Sequence, residues 1–276
     1  MAGLERPLVM GVLNVTPDSF SDGGLYLDAD AAVAHAGEMA AEGASIIDVG
    51  GESTRPGAEP VPERDELARV IPVVERIAVD LEPRVSIDTR KVAVAEAAIQ
   101  AGARIVNDVS AFRSAPAMAG LVASSGATCC LMHMLGDDPR TMQTDPRYDD
   151  VVSEVKAFLE QRLAFAMGEG VPEEHVWLDP GIGFGKTVDH NLELIRRLDE
   201  IVALGRPVVI GTSRKSFIGR LTGRPERERA AGTVATNVIA YERGASIFRV
   251  HDVVEAVDSL KVAAATVGRW TTSPSA

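Results

Sequence analysis

Ten side chains able to do chemistry stand at or just beyond the ends of short apolar runs. They are Asn14, Asp48, Asp88, Asn107, Asp108, His133, Asp179, Lys215, Arg249 and His251. Any one of them could be polar because strand ends are wet. The set resists that reading, because isolated Asp and Asn at the ends of buried strands would lose about 1–3 kcal/mol each unless something paired with them. Asp88, Asn107 and Asp179 together with Lys215 form a particular mixture of acceptors and donors. Carboxylates accept from ring N–H and amino groups, an Asn amide both donates and accepts, and an ammonium donates to a carbonyl oxygen. That mixture suits a flat nitrogen heterocycle. A zinc centre does not fit, since the five histidines (35, 133, 175, 190, 251) form neither His-x-His nor His-x-x-x-His.

Three stretches show how such residues are positioned. Glu42–Val49, Ala101–Val109 and Arg243–Val250 each carry Gly-Ala, then a β-branched apolar run, then a polar side chain five residues after the glycine. The glycine reads as a helix stop and the run as a buried strand. With a side-chain period of two, Asp48, Asn107 and Arg249 fall on one side, followed there by Gly50, Val109 and His251. Equivalent strands delivering polar groups to one rim suggest a ring. The fullest of these stretches, Ala44–Gly57, ends in a polar loop, Glu52-Ser53-Thr54-Arg55-Pro56-Gly57, just past the strand's C-terminal end, where α/β proteins bind ligands.

Eight strands are predicted: 8–15, 45–49, 84–89, 105–109, 128–133, 176–179, 208–211 and 247–250. Helical periodicity covers 29–42, 64–81, 92–101, 117–125, 150–168, 192–204, 232–241 and 254–267. Strict alternation implies parallel strands with right-handed crossovers, and 276 residues suit one (β/α)8 TIM barrel of ~250 residues. A doubly wound open sheet is the competitor, because periodicity does not reveal closure. A single domain over 1–270 is expected, with 271–276 as a disordered tail and 14–28 and 134–146 as active-site loops.

A formal charge of −12 argues against nucleic acid and anionic membrane surfaces as partners, so an anionic substrate must be held by local cations. Cys129 and Cys130, the two cysteines, alternate across a strand and read as buried apolar residues of a cytoplasmic protein. The opening MAGLERPLVMGV lacks the layout of a signal peptide, and no run approaches ~18 apolar residues. The glycine-rich Asp179–Lys186 lacks the P-loop's G-K-[ST] spacing, and Lys186 is expected to be a solvated loop residue. His35 and His175 are expected on the surface.

N-V-T-P-D-S-F-S-D-G-G (14–24), G-E-S-T-R-P-G (51–57), D-P-G-I-G-F-G-K-T (179–187), T-S-R-K-S-F-I-G (212–219) and R-V-H-D-V (249–253) resemble the signatures of dihydropteroate synthase. They occur in family order from Leu8 to about Lys261. The resemblance implies a pterin-binding TIM barrel that joins 6-hydroxymethyl-7,8-dihydropterin diphosphate to 4-aminobenzoate, giving 7,8-dihydropteroate and pyrophosphate. It implies that Asp88, Asn107, Asp179 and Lys215 bind the pterin and that Arg249 packs on the pterin face while meeting the diphosphate. Asn14, Thr54 and His251 would complete the diphosphate contacts, aided by amides of the last helix, which should start just past His251. Mg2+, held mainly by phosphate oxygens, would take Asn14 as its protein ligand, with Asp22 a second candidate. Phe20, Asp22, Arg55, Pro56, Phe184 and Ser216 would belong to the 4-aminobenzoate side and its loops. Phe20 also reads as a loop anchor and Phe184 as core packing. The implied mechanism is dissociative, with Asp88 and Asp179 stabilising a cation. Ala111 stands where the family often has Gly after N-D-V-S, which puts the local backbone shape in question. A homodimer is expected. Two alternatives stay open: a methyltetrahydrofolate-dependent methyltransferase, and a silent pterin-binding homologue.

Overall fold

The computed structural model describes residues 6–16, 24–53, 59–138 and 141–268, with side chains of the second segment described from residue 29. Its elements are β1 (Leu8–Asn14), α1 (Gly24–Ala41), β2 (Ile46–Gly50), α2 (Glu63–Asp80), β3 (Arg84–Asp88), α3 (Val92–Gln100), β4 (Ile105–Asp108), α4 (Ala117–Ser125), β5 (Thr128–Met132) and α5 (Val151–Gly168). They continue with β6 (Val176–Asp179), α6 (Val188–Arg196), α7 (Leu198–Val202), β7 (Val209–Ile210), α8 (Ser216–Thr222), α9 (Ala230–Glu242), β8 (Ile247–Val250) and α10 (Val253–Thr266).

All strand pairs are parallel and run in the order β6-β5-β4-β3-β2-β1-β8-β7. The two ends meet, because Leu178 on β6 bridges Val208 and its N–H bonds the carbonyl of Pro207 at 3.0 Å. The sheet therefore closes into a (β/α)8 barrel, and the open doubly wound arrangement is excluded.

The helix-to-strand corners explain the recurrence in the sequence. Gly43, Gly102 and Gly244 have φ of 101°, 114° and 101°, a left-handed conformation that a Cβ opposes. In each case the following alanine N–H reaches back to a carbonyl five residues earlier: Ala44 to Met39, Ala103 to Ala98, Ala245 to Ala240. These are Schellman closures, and each turns the chain directly into a strand.

Strand alternation then builds two cores. Outward-facing Val9, Leu13, Ile47, Val49, Ile87, Val106, Leu131, Leu178, Ile210 and Phe248 join the helices in the larger one. Inward-facing Met10, Ile46, Ile105, Cys130, Trp177, Val209 and Ile247 form a separate apolar plug inside the barrel. Cys129 lies in the outer core and Cys130 in the plug, both free and buried, as their alternation predicts.

Several boundaries differ from expectation, beginning with α1, which starts at Gly24 inside the loop expected over 14–28, five residues before the helix predicted from 29. The helix predicted over 192–204 begins at Val188, where Thr187 and His190 form a reciprocal capping box, and it breaks at Arg197. Arg197 sits at φ −108°, ψ 29°, and its guanidinium ties Asp150 on the neighbouring helix entry to Glu200 beyond the break. A short α8 also stands between β7 and α9. Among the described residues, no helix is long and apolar enough to cross a membrane.

Candidate active site

One step of the side-chain period above the plug, the barrel interior turns polar. Ile46 is followed on the same face by Asp48, Ile105 by Asn107, Trp177 by Asp179 and Ile247 by Arg249. Asp48 is fully buried, and Asn107 and Asp179 nearly so. Arg249 donates from Nε to Asp48 Oδ2 at 2.6 Å and from a terminal nitrogen to Asp88 Oδ2 at 2.8 Å. Asn107 Nδ2 donates to the same Asp48 oxygen at 3.0 Å. Five strands thus deliver five polar side chains to one cup. Asp48 is its hub, although the sequence reading gave it no binding role. The signal was present: Asp48 holds the position in its repeat that Asn107 and Arg249 hold in theirs.

Burial pushes Asp88 up to about 7, against the pull of Arg249 and with the help of the Asp48, Glu66 and Asp108 charges. Burial also raises Asp179, opposed by the Gly181 N–H and by Lys215, Arg249 and Lys186. Burial works against the Arg249 cation, yet Asp48 and Asp88 hold it above the ordinary arginine value. The cup therefore sets a fixed cation beside Asp88, whose carboxyl burial brings to about 7.

Each neighbouring loop has its own scaffold. After β4, the carboxylate of Asp108 accepts from Ser110 N (2.7 Å) and Phe112 N (2.9 Å). It secures a turn in which Ala111 (φ 52°) and Phe112 (φ 65°) are both left-handed, so the position flagged in the sequence does carry unusual backbone. Asp108 is accordingly structural. After β6, Gly181 N donates to Asp179 Oδ1 at 2.7 Å. Gly181 (φ 68°) presses so closely on β5 that a Cβ there would lie 1.8 Å from the carbonyl oxygen of His133.

After β7, Arg214 (φ 58°) pairs with Asp252, its N–H bonds Thr233 Oγ1 at 3.2 Å, and its carbonyl accepts from Arg229 at 2.8 Å. This brace presents Lys215 at the start of α8, with Nζ 4.1 Å from the ring centroid of Phe184. Phe184 itself packs with Val109, Met132, Met134 and Met142 at the rim. His251 meets Ser213 Oγ through Nδ1 at 3.0 Å and through its own N–H at 3.1 Å, and α10 begins two residues later. Burial, with Arg249 and Arg214 nearby, lowers His251 to about 3, so the ring is neutral.

Asn14 ends β1 opposite Gly50. A Cβ built on Gly50 would lie 3.8 Å from Asp88 Oδ2 and 3.9 Å from Asn14 Oδ1, so both side-chain oxygens lie beside this glycine. Hard oxygen donors of this kind fit Mg2+. Among the described residues, no group of three or more His, Cys, Asp or Glu is placed to hold a metal ion.

Lys186 corrects an expectation. It is buried, not solvated: Nζ lies 2.8 Å from His133 Nδ1 and donates to the carbonyls of Gly181 (2.9 Å) and Phe184 (3.0 Å). The local glycine-rich sequence suggested an open loop, but here the glycines allow the chain to fold over the ammonium. The sequence reading also passed over the ion-pair group at the neck of the second loop, where Glu52 accepts from Arg90 (2.7 Å), Lys91 and Val61 N (3.2 Å), and buried Glu66 joins Lys91 and Thr89. Glu52 is held below the ordinary glutamate value by Lys91 and Arg90 in spite of burial. Ser216 is exposed as the first residue of α8. His35 lies on the surface, bonded to Glu38 at 3.1 Å. Phe20, Asp22, Thr54, Arg55, Pro56 and the 271–276 tail lie outside the described residues.

Comparison with known proteins agrees with this geometry. The family described as pterin binding enzyme matches residues 10–251. The dihydropteroate synthase of Escherichia coli (strain K12) is 48% identical over 264 residues, covering 96% of this chain and 93% of the relative. A solved structure of Xanthomonas albilineans dihydropteroate synthase with 4-aminobenzoic acid superimposes with a TM-score of 0.89 at 48% identity, over 95% of this chain and 93% of that one. Another structure from the same organism, in complex with 7,8-dihydropteroate, gives 0.85 at 44% identity, over 95% and 94%.

Proposed function

We infer the activity from the premise that this chain belongs to the pterin binding enzyme family. It is a dihydropteroate synthase, which condenses 6-hydroxymethyl-7,8-dihydropterin diphosphate with 4-aminobenzoate to give 7,8-dihydropteroate and pyrophosphate in folate biosynthesis. The observation that carries this reading is the polar layer of Asp48, Asp88, Asn107, Asp179 and Arg249 resting directly on the apolar plug. A bicyclic heterocycle has a polar edge for the layer and an apolar face for the walls.

In the proposed binding mode, Asp179 takes the adjacent ring N–H and 2-amino protons, Asn107 complements the pyrimidine edge, and Lys215 donates to the 4-oxo group. Asp88 faces the same ring. Arg249 leaves its bridge between Asp48 and Asp88 enough to lie on the pterin face and meet the diphosphate. Its planar guanidinium serves both, which an ammonium would not. Asn14, Thr54 and His251 hold the diphosphate, and Ser213 Oγ fixes the His251 ring through Nδ1, leaving Nε2 to face the ligand. Phe20, Asp22, Arg55, Pro56, Phe184 and Ser216 receive 4-aminobenzoate and the loops that cover it.

Bond breaking precedes bond making. As the carbon–oxygen bond to the diphosphate opens, positive charge spreads into the dihydropterin, where Asp88 and Asp179 stabilise it from a site already shielded from water. The neutral arylamine then attacks the exocyclic carbon and gives up one N–H proton to the departing pyrophosphate. Asn14 would be the protein ligand of a Mg2+ ion, which would supply charge neutralisation for the pyrophosphate.

The family's expected homodimer has a suitable surface in the groove between α9 and α10. Val238, Val262, Ala263 and Val267 line it, and Val262 is 66% exposed. Sedimentation near 58 kDa, twice 29.2 kDa, is expected, and a 29 kDa particle rejects the dimer. Two buried free thiols suit the reducing cytoplasm proposed for the enzyme.

The deciding assay follows pyrophosphate from dihydropterin diphosphate with and without 4-aminobenzoate. Release that requires 4-aminobenzoate and yields dihydropteroate supports the synthase. Release of none identifies a silent binder, and methyl transfer to a cobalamin acceptor identifies the methyltransferase. Neither alternative is favoured by the relatives. Chelating divalent cations should stop release, and metal-independent turnover removes Asn14 as a metal ligand.

A further inference from the structure

The mechanism above gives Lys186 no task, yet its amino group is buried at 4% exposure, and burial lowers it to about 7 against the pull of the Asp179 charge. Its hydrogen-bond partners are an imidazole and backbone carbonyls. They belong to two strand ends: His133 follows β5, while Gly181 and Phe184 lie in the turn after β6. Burial, with Lys186 and Arg113 nearby, lowers His133 to about 2, so the ring is neutral and its Nδ1 shares a hydrogen bond with Lys186 Nζ. His133 is fixed in turn by an edge-on contact with Phe158, ring centroids 4.9 Å apart.

The turn gripped by Lys186 carries the supports of two pterin-binding groups. Gly181 N holds Asp179 Oδ1 at 2.7 Å. The ring of Phe184 lies under the Lys215 ammonium at 4.1 Å, and Gly183 backs the Lys215 stem so closely that a Cβ there would lie 3.0 Å from Cδ. Asn191 Oδ1 accepts from Gly183 N at 2.7 Å and anchors the outer side of the same turn.

We infer that Lys186 is a positioning residue for the pterin half of the site. It pins the 181–185 turn to His133 so that Asp179 and Lys215 converge on the heterocycle, and it reaches the 4-aminobenzoate side only through the backbone of Phe184. This rests on the synthase reading above. A clamp that served stability alone would spare the substrate affinities or weaken both together.

The test uses Lys186→Met, which keeps an unbranched stem and removes the donors, and His133→Phe, which keeps the ring and removes Nδ1. Lys186→Met is expected to raise KM for dihydropterin diphosphate about tenfold or more while KM for 4-aminobenzoate stays within threefold. His133→Phe should shift the same parameter in the same direction by less. Calorimetry with 6-hydroxymethyl-7,8-dihydropterin, which lacks the diphosphate, should show the same loss of affinity. In a cycle with Lys215→Ala, the double variant should lose less than the product of the single losses, because both act on one contact. Proportional changes in both KM values, or a lowered melting temperature with unchanged KM values, overturn the inference. If Lys186→Met does not fold, an unchanged pterin KM in His133→Phe overturns it equally. An inactive wild type refutes the synthase reading itself, whereas an active wild type with unshifted variants refutes only the role of Lys186.

Discussion

Replacing Asp48 by Asn should cost this enzyme about a hundredfold in kcat/KM, although Asp48 needs to touch neither substrate. Its Oδ2 holds Arg249 Nε at 2.6 Å and Asn107 Nδ2 at 3.0 Å, and its Oδ1 is buried with no hydrogen-bond partner. Both bonds are accepted by the Asp48 carboxylate, and a charge-assisted bond of this kind contributes about 1.5–3 kcal/mol. Losing both would therefore cost about 3–6 kcal/mol, or roughly 10² to 10⁴ in kcat/KM. An asparagine carbonyl can retain one of the two bonds, which puts Asp48→Asn near the lower figure and Asp48→Leu near the upper. Initial rates of pyrophosphate release give the ratio, and thermal melts establish that each variant is folded. Arg249→Lys combined with Asp48→Asn should lose less than the two separate losses added together, since one contact is removed twice. An Asp48→Asn enzyme within threefold of wild type, or strictly additive losses, would refute the claim that Asp48 organises the cup.

Other expectations are narrower. Lys215→Ala should lower turnover by roughly 10² through loss of a charge-assisted contact, and unchanged kinetics would take Lys215 out of the site. His133 is a base whose folded value, about 2, lies below its ordinary 6.5, so its stabilisation is present above pH 6.5 and is lost as pH falls. Between pH 8 and pH 5.5 that loss is about 1.4 kcal/mol, and His133→Gln should lack it; equal losses in denaturant melts of the two proteins would contradict the buried neutral ring. Ala111→Gly should raise stability by up to about 1 kcal/mol by relieving the φ of 52°, an effect that a lower melting temperature would disprove.

The barrel was legible because its signals are periodic. Gly43, Gly102 and Gly244 fix equivalent corners, and alternation after them assigns Asp48, Asn107 and Arg249 to one face. Ring closure was read from the equivalent rims, the chain length and the family resemblance, because periodicity alone does not encode the β1–β8 pairing or the bridge at Leu178–Val208, which depend on twist accumulated around the sheet. Lys186 was misread for a related reason. Its burial is set by His133, 53 positions away, and no local pattern encodes that distance. Asp48 shows a different gap: its position was clear, but its role as a shared acceptor emerges only when Arg249 and Asn107 arrive from other strands.

The two-residue step from plug to polar layer has a consequence for how this catalyst can change. Inserting a single residue into β4 would rotate Asn107 outward against the surrounding helices and swing Asp108 inward, and the equivalent lesion in β2 or β8 would expel Asp48 or Arg249. Variation in chain length is thereby channelled into the connections between strands. The ancestry of the pterin grip should be written in strands of constant length, and diversity among its descendants in the loops.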